Sequence, residues 1–176
     1  MVPKEKEQLV PFESLHPRFA WMRDYLESLA PAGKLPSRRQ LDPLDLRALL
    51  PFIVLVDVHR SGSGSGSERE FRYRLMGSRH VEAIGHNFTG VTVQDASAPA
   101  YLERVLSNMN FVVDTAKAFY DRFPMPFRDR EFMDSERVYF PLADDGETVD
   151  VILVLNGYPN NPDLDRVQLP PPKRRG

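Results

Sequence analysis

The chain is predicted to be α+β: a five-stranded antiparallel sheet in the order 2-1-5-4-3, helices on one face, and a further helix at the N-terminus. Three observations predict it. In the C-terminal half, Leu102, Val105, Leu106, Met109, Val112, Val113 and Ala116 recur at i, i+3, i+4 and i+7, the stripe of an amphipathic helix. Three strand-like runs follow that helix, 118–125, 132–142 and 149–158, and two precede it, 51–58 and 70–76. Finally, 52–58 and 149–155 are apolar on nearly both faces, whereas 70–76 and 132–138 carry charge. Doubly covered strands lie centrally in an antiparallel sheet and charged ones nearer its edges, so the first and last strands pair in the middle. Such a sheet with helices on one face makes a cup. The outer face of its centre needs a cover, and the N-terminal helix of the same chain or of a partner is the candidate.

Residues 1–13 read as a flexible arm and 14–50 as a helical extension. Leu15, Phe19, Met22, Leu26 and Leu29 alternate spacings of four and three until Pro31-Ala32-Gly33 ends the run. That is a narrow seam suited to another helix or to a sheet face. Packing on the chain's own domain and a dimer seam both fit it; Trp21 and Tyr25 widen the apolar face and favour burial in a homodimer. Asp42 is a good N-cap, with Pro43 at the first position of a short helix that Pro51 ends.

Residues 51–158 form the domain proper. Phe52–Val58 is a buried strand. Ser61–Ser67 alternates Ser and Gly and reads as a floppy hairpin loop. No Lys-Ser/Thr and no helix start follow it, which argues against a phosphate cradle. In Phe71–Met76 the side chains alternate, Phe71, Tyr73 and Leu75 on one face and Arg72 and Arg74 on the other. Gly77 breaks that strand, a short helix covers Ser78–Ile84, and a polar turn segment leads to the long helix. Asp144-Asp145-Gly146 turns the chain between the last two strands. From 159 to 176 the Pro-rich tail, ending Lys-Arg-Arg-Gly, reads as disordered or loosely docked.

The 176 residues fit one domain, and 41% apolar content supports a real core. A net charge of −2 gives no electrostatic reason to bind nucleic acid or a membrane surface. The absence of cysteine removes disulfides, thiolate metal sites, Cys nucleophiles and cysteinyl-flavin photochemistry. The charged N-terminus lacks a signal-peptide core, and apolar runs such as Val151–Leu155 fall far short of the ~20 residues that span a bilayer. A cytoplasmic protein is expected. There is no Gly-x-Ser-x-Gly, no acid pair with a positioned base and no metal triad, so no catalytic residue, no metal ligand and no enzymatic activity are expected.

Leu35-Pro-Ser-Arg, Leu41-Asp-Pro-Leu-Asp-Leu, Leu50-Pro and Phe71-Arg-Tyr-Arg-Leu-Met-Gly77 resemble the single-domain PAS proteins common in alphaproteobacteria, as do Asn87-Phe-Thr-Gly90 and Asp144-Asp-Gly-Glu-Thr-Val149. The resemblance runs over about residues 14–158 and departs from the family at the Ser/Gly loop, which is usually shorter. It implies the PAS fold, with the strand order inferred above, and a sensory or interaction module that binds a small molecule or a partner. A change in sheet or flanking-helix geometry would carry the signal to an unidentified signalling protein.

A haem-binding PAS domain usually takes its axial histidine from the long helix, and 99–116 contain none. His16, His59, His80 and His86 read as surface or loop histidines rather than haem or metal ligands, although His80 and His86 can face the cup. Arg72 and Arg74 could clamp a carboxylate or phosphate; a salt-bridged sheet face is the favoured reading. Tyr73, His80, Met109, Val113, Phe119 and Tyr139 form the candidate ligand-binding set, an apolar pocket with polar handles. If the cup is filled, the same residues are simply core. A small-molecule sensor is the expected function. A cone-shaped protein of the NTF2-like sort, with a curved six-stranded sheet, and a ligand-free interaction module are the alternatives.

Overall fold

The computed structural model describes residues 10–62 and 68–171. Most of the Ser/Gly loop, most of the N-terminal arm and the end of the tail lie outside the described residues. In chain order the elements are α1 (Pro17–Leu29), β1 (Ile53–Ser61), β2 (Glu68–Met76), α2 (Ser78–Ile84), α3 (Val93–Ala96), α4 (Pro99–Thr115), β3 (Phe119–Pro124), β4 (Asp134–Leu142), β5 (Val151–Gly157) and α5 (Pro162–Asp165). The strands form one five-stranded antiparallel sheet in the order β2-β1-β5-β4-β3, as expected. No helix among the described residues is long and apolar enough to cross a membrane.

Register sorts the side chains into two faces, because neighbours along a strand point oppositely and cross-strand partners point together. Val54, Val154, Tyr139 and Phe119 form one row across four strands, and Asn156, Arg137 and Asp121 form the next row on that face. This inner face carries α4, whose Arg104 and Asn108 both bond to the Asp121 carboxylate. The opposite row, Ile53, Leu155 and Val138, belongs to the outer face.

The chain's own N-terminal helix covers that outer face. Phe12 stacks on Phe140, and Phe19 reaches Gly157. Of the seam residues, Phe19 and Met22 are 0% exposed and Leu26 is 5% exposed within one chain, while Leu15 and Leu29 are half-buried against the same core. The seam expected to serve a homodimer is therefore closed by the protein's own sheet. Trp21 and Tyr25 are likewise engaged at home: Trp21 Nε1 donates to the Pro170 carbonyl at 3.1 Å, and the Tyr25 hydroxyl accepts from the Asp42 N–H at 2.9 Å.

Three further expectations change. Residues 43–49 form successive turns rather than a helix, although Asp42 caps them through a 2.8 Å bond from the Leu44 N–H. β4 lies beside the edge strand, as expected, and is almost wholly buried despite its charge; its Glu136 and Arg137 are 8% and 4% exposed. In β2 the register shifts opposite Leu55/Val56, so Leu75 pairs with Leu55 while Tyr73 pairs with Val56. Since Leu55 and Val56 face opposite ways, the bulge takes Leu75 off the Tyr73 face. Finally, 158–171 is docked: Asp165 pairs with Arg18 of α1 at 3.0 Å, and Leu164 is buried.

Arg72 and Arg74 belong to a salt-bridged face, paired with Glu70 and Asp57 at 2.6 Å each. The outer edge of β2 is partly occupied, because the Tyr73 N–H donates to the Val91 carbonyl and the Gly90 N–H donates to the Tyr73 carbonyl. Gly77 closes β2 against the turn before β1, where an added Cβ would strike the carbonyl oxygens of Leu50 and Pro51. Backbone cannot retreat as a flexible side chain can. Gly77→Ala is expected to destabilise the fold by about 3 kcal/mol, the upper range for overpacking, read as a lower urea midpoint at unchanged m-value.

Candidate functional site

Between the inner face of the sheet and α4 lies a small cavity of about 30 Å³, room for about two waters. Its apolar wall is Val54, Val105, Met109, Phe127 and Val154, and its polar groups are Tyr73, His80, Arg137, Tyr139 and Asn156. The sheet rows described above supply Val54, Val154, Tyr139, Arg137 and Asn156. α4 presents Val105 and Met109, one turn apart. The loop after β3 closes the cavity with Pro126 and Phe127. It is anchored by the Ala98 N–H donating to the Pro126 carbonyl at 2.7 Å and by Arg130 Nε donating to the Ile84 carbonyl at 3.1 Å.

Of the six residues expected to bind ligand, Tyr73, His80, Met109 and Tyr139 line this cavity together. Phe119 lies behind Tyr139, packed on that ring and on Phe111 with centroids 6.5 and 5.0 Å apart. Val113 lies a turn beyond Met109, half-buried against the core. Arg137, Asn156 and Phe127 were missed. Two signals marked the first two: Asn156 is the one polar residue inside the apolar run 151–158, and Arg137 stands two before Tyr139, hence on its face.

His80 is not a surface histidine. It is 4% exposed, its Nδ1 shares a 2.7 Å hydrogen bond with the Tyr158 hydroxyl, and its ring packs edge-on against Phe127. Burial, with Arg137 adding to it, lowers its pKa to about 3, so the imidazole is neutral at ordinary pH. Burial likewise raises Tyr73, Tyr139 and Tyr158, which keep their protons. Arg137 brings a buried positive charge to a wall of neutral groups. Its guanidinium lies 4.0 Å from the Phe123 ring centroid and donates to the Phe123 carbonyl at 3.3 Å and to the Ser135 hydroxyl. Its Nε has no hydrogen-bond partner. Asp121, the cross-strand neighbour of Arg137, is engaged by Arg104 Nε at 2.8 Å and Asn108 at 2.7 Å.

The set can bind and orient a small polar molecule. No cluster of three or more His, Cys, Asp or Glu residues that could hold a metal occurs among the described residues.

No protein-family model matches the chain, and no curated protein matches it in sequence. Among solved structures, the chain is similar to the PAS-B domain of Drosophila melanogaster Cycle. The wild-type domain with bound ethylene glycol is 12% identical with a TM-score of 0.45, and the match covers 60% of this chain and 97% of that one. A tryptophan-to-alanine variant with bound glycerol is 12% identical with a TM-score of 0.44, covering 60% and 96%. At these values the likeness carries no argument, and the fold rests on the sheet itself.

The histidine makes stability depend on pH. In the unfolded chain it takes up a proton as pH falls through about 6.5, whereas folded His80 stays neutral down to about 3. Its contribution is therefore complete above pH 6.5 and is lost progressively as pH falls toward 3. From pH 7 to 5 the wild type should lose about 1–2 kcal/mol more than His80→Gln, measured by urea unfolding at each pH.

Proposed function

We propose that this chain is a PAS-type sensory and interaction domain. It takes a small molecule between the sheet and α4 and passes the change to a cytoplasmic signalling protein through α1 and the docked tail. It acts by binding, without catalysis, and its targets are neither nucleic acid nor membrane. A second copy would meet it on a surface other than the α1 seam.

Asn156 carries this reading. Its side chain lines the cavity, where Nδ2 donates to the Phe52 carbonyl at 3.0 Å, while its own backbone carbonyl accepts from Arg18 Nη1 at 3.1 Å on the other side of the sheet. A parallel route runs from His80 to the Tyr158 hydroxyl, from the Tyr158 N–H to Asp165 at 2.8 Å, and from Asp165 to Arg18. A ligand that moves Asn156 or His80 therefore pulls on α1. Supporting it are the strand order and the resemblance in the 71–77 string.

Native mass spectrometry of freshly purified protein, followed by denaturation, is expected to release a small molecule in stoichiometric amount. Persistent apo protein that no small molecule stabilises would leave the filled-cup interaction module instead. Trp21, the only tryptophan, touches the tail and reports on α1. Returning the released fraction to stripped protein should change Trp21 fluorescence. Arg18→Lys, which keeps the charge but loses the forked donors, should still bind and lose most of that change.

A further inference from the structure

We infer that the molecule taken by the cavity is a carboxylate of one or two carbons, its carboxylate facing Arg137 and any methyl end against Val105, Met109 and Phe127. The inference rests on the reading of the cavity as a ligand site and names the chemistry that site selects.

A buried guanidinium is costly unless an anion or enough acceptors surround it. Arg137 is 4% exposed; its neighbours are the Phe123 and Ser135 carbonyls, the Ser135 and Tyr139 hydroxyls and the Phe123 ring, all of them uncharged, and its Nε has no partner. Asp121, the carboxylate placed opposite it by the ladder, is held by Arg104 and Asn108. No acidic residue lines the cavity, so nothing there repels an anion. The Tyr73 and Tyr139 hydroxyls add neutral donors to the positive charge.

Shape narrows the class. A cavity of about 30 Å³ takes only the smallest organic anions and is far too small for a nucleotide, a haem or a flavin. An inorganic oxyanion wants donors on every side, whereas half of this wall is hydrocarbon. A carboxylate with a short alkyl tail matches both halves.

The test uses the full chain labelled with 15N, titrated at constant ionic strength with formate, acetate, propionate, acetamide and nitrate. Formate and acetate should shift the Arg137 Nε–H resonance and raise the melting temperature, propionate should do so less, and acetamide should do neither. Arg137→Gln should abolish the acetate effect. In case that variant does not fold, Met109→Phe provides the second reading: it fills the methyl end and should weaken acetate at least about tenfold while sparing formate. Equal responses to acetamide and acetate would overturn the carboxylate assignment and leave the sensory pocket standing. Nitrate binding as well as acetate would overturn it too, since the alkyl wall would then select nothing. No response to any probe, in protein that native mass spectrometry finds empty, would overturn both the assignment and the pocket.

Discussion

Arg18 is the charge around which the two ends of the chain are organised. Its side chain is wholly buried, a position that costs several kcal/mol unless each donor finds an acceptor. Four acceptors from three places meet it: His16 Nδ1 at the start of α1, the Asn156 carbonyl at the end of β5, and the carbonyl and carboxylate of Asp165 in α5, with the Phe52 ring beneath the guanidinium. The helix cannot start elsewhere, and the tail cannot leave, without stranding that charge. Burial draws the pKa of Arg18 below its ordinary value and Asp165 opposes the shift.

β5 is the wall shared by both halves of the molecule. Alternation gives its inner residues to the cavity and its outer residues to α1, so no second layer separates the two. Asn156 exploits this by placing its side chain on one side and its carbonyl on the other. The sheet is thus an unusually short path between a polar cavity and the helix that covers its back.

The sheet was legible because its two central strands are apolar on both faces, a pattern only double cover permits. The α4 stripe was legible for the analogous helical reason. Half of the cavity was not. Tyr73, Met109 and Tyr139 were found by face, but Arg137 looks in sequence like the charge of an outer strand, and only the structure shows that a ring, hydroxyls and carbonyls enclose it. Docking of the tail was illegible for a similar reason: its anchor is an ion pair spanning Arg18 to Asp165, which no local pattern encodes. Helical capping at Asp42 misled because the cap formed while the following residues turned instead of winding.

The hydrogen bonds of Tyr73 to Gly90 and Val91 bear on how the sheet could grow. An edge strand is a template for strand addition, and this contact interrupts the template midway along β2. The opposite edge is β3, only six residues long, bearing Asp121 and Arg122 and ending at Pro124, which has no N–H to offer. Neither border supports a long uninterrupted ladder, so the protein is guarded against fibril-like stacking, and a partner's strand would find its docking register dictated by where these interruptions fall.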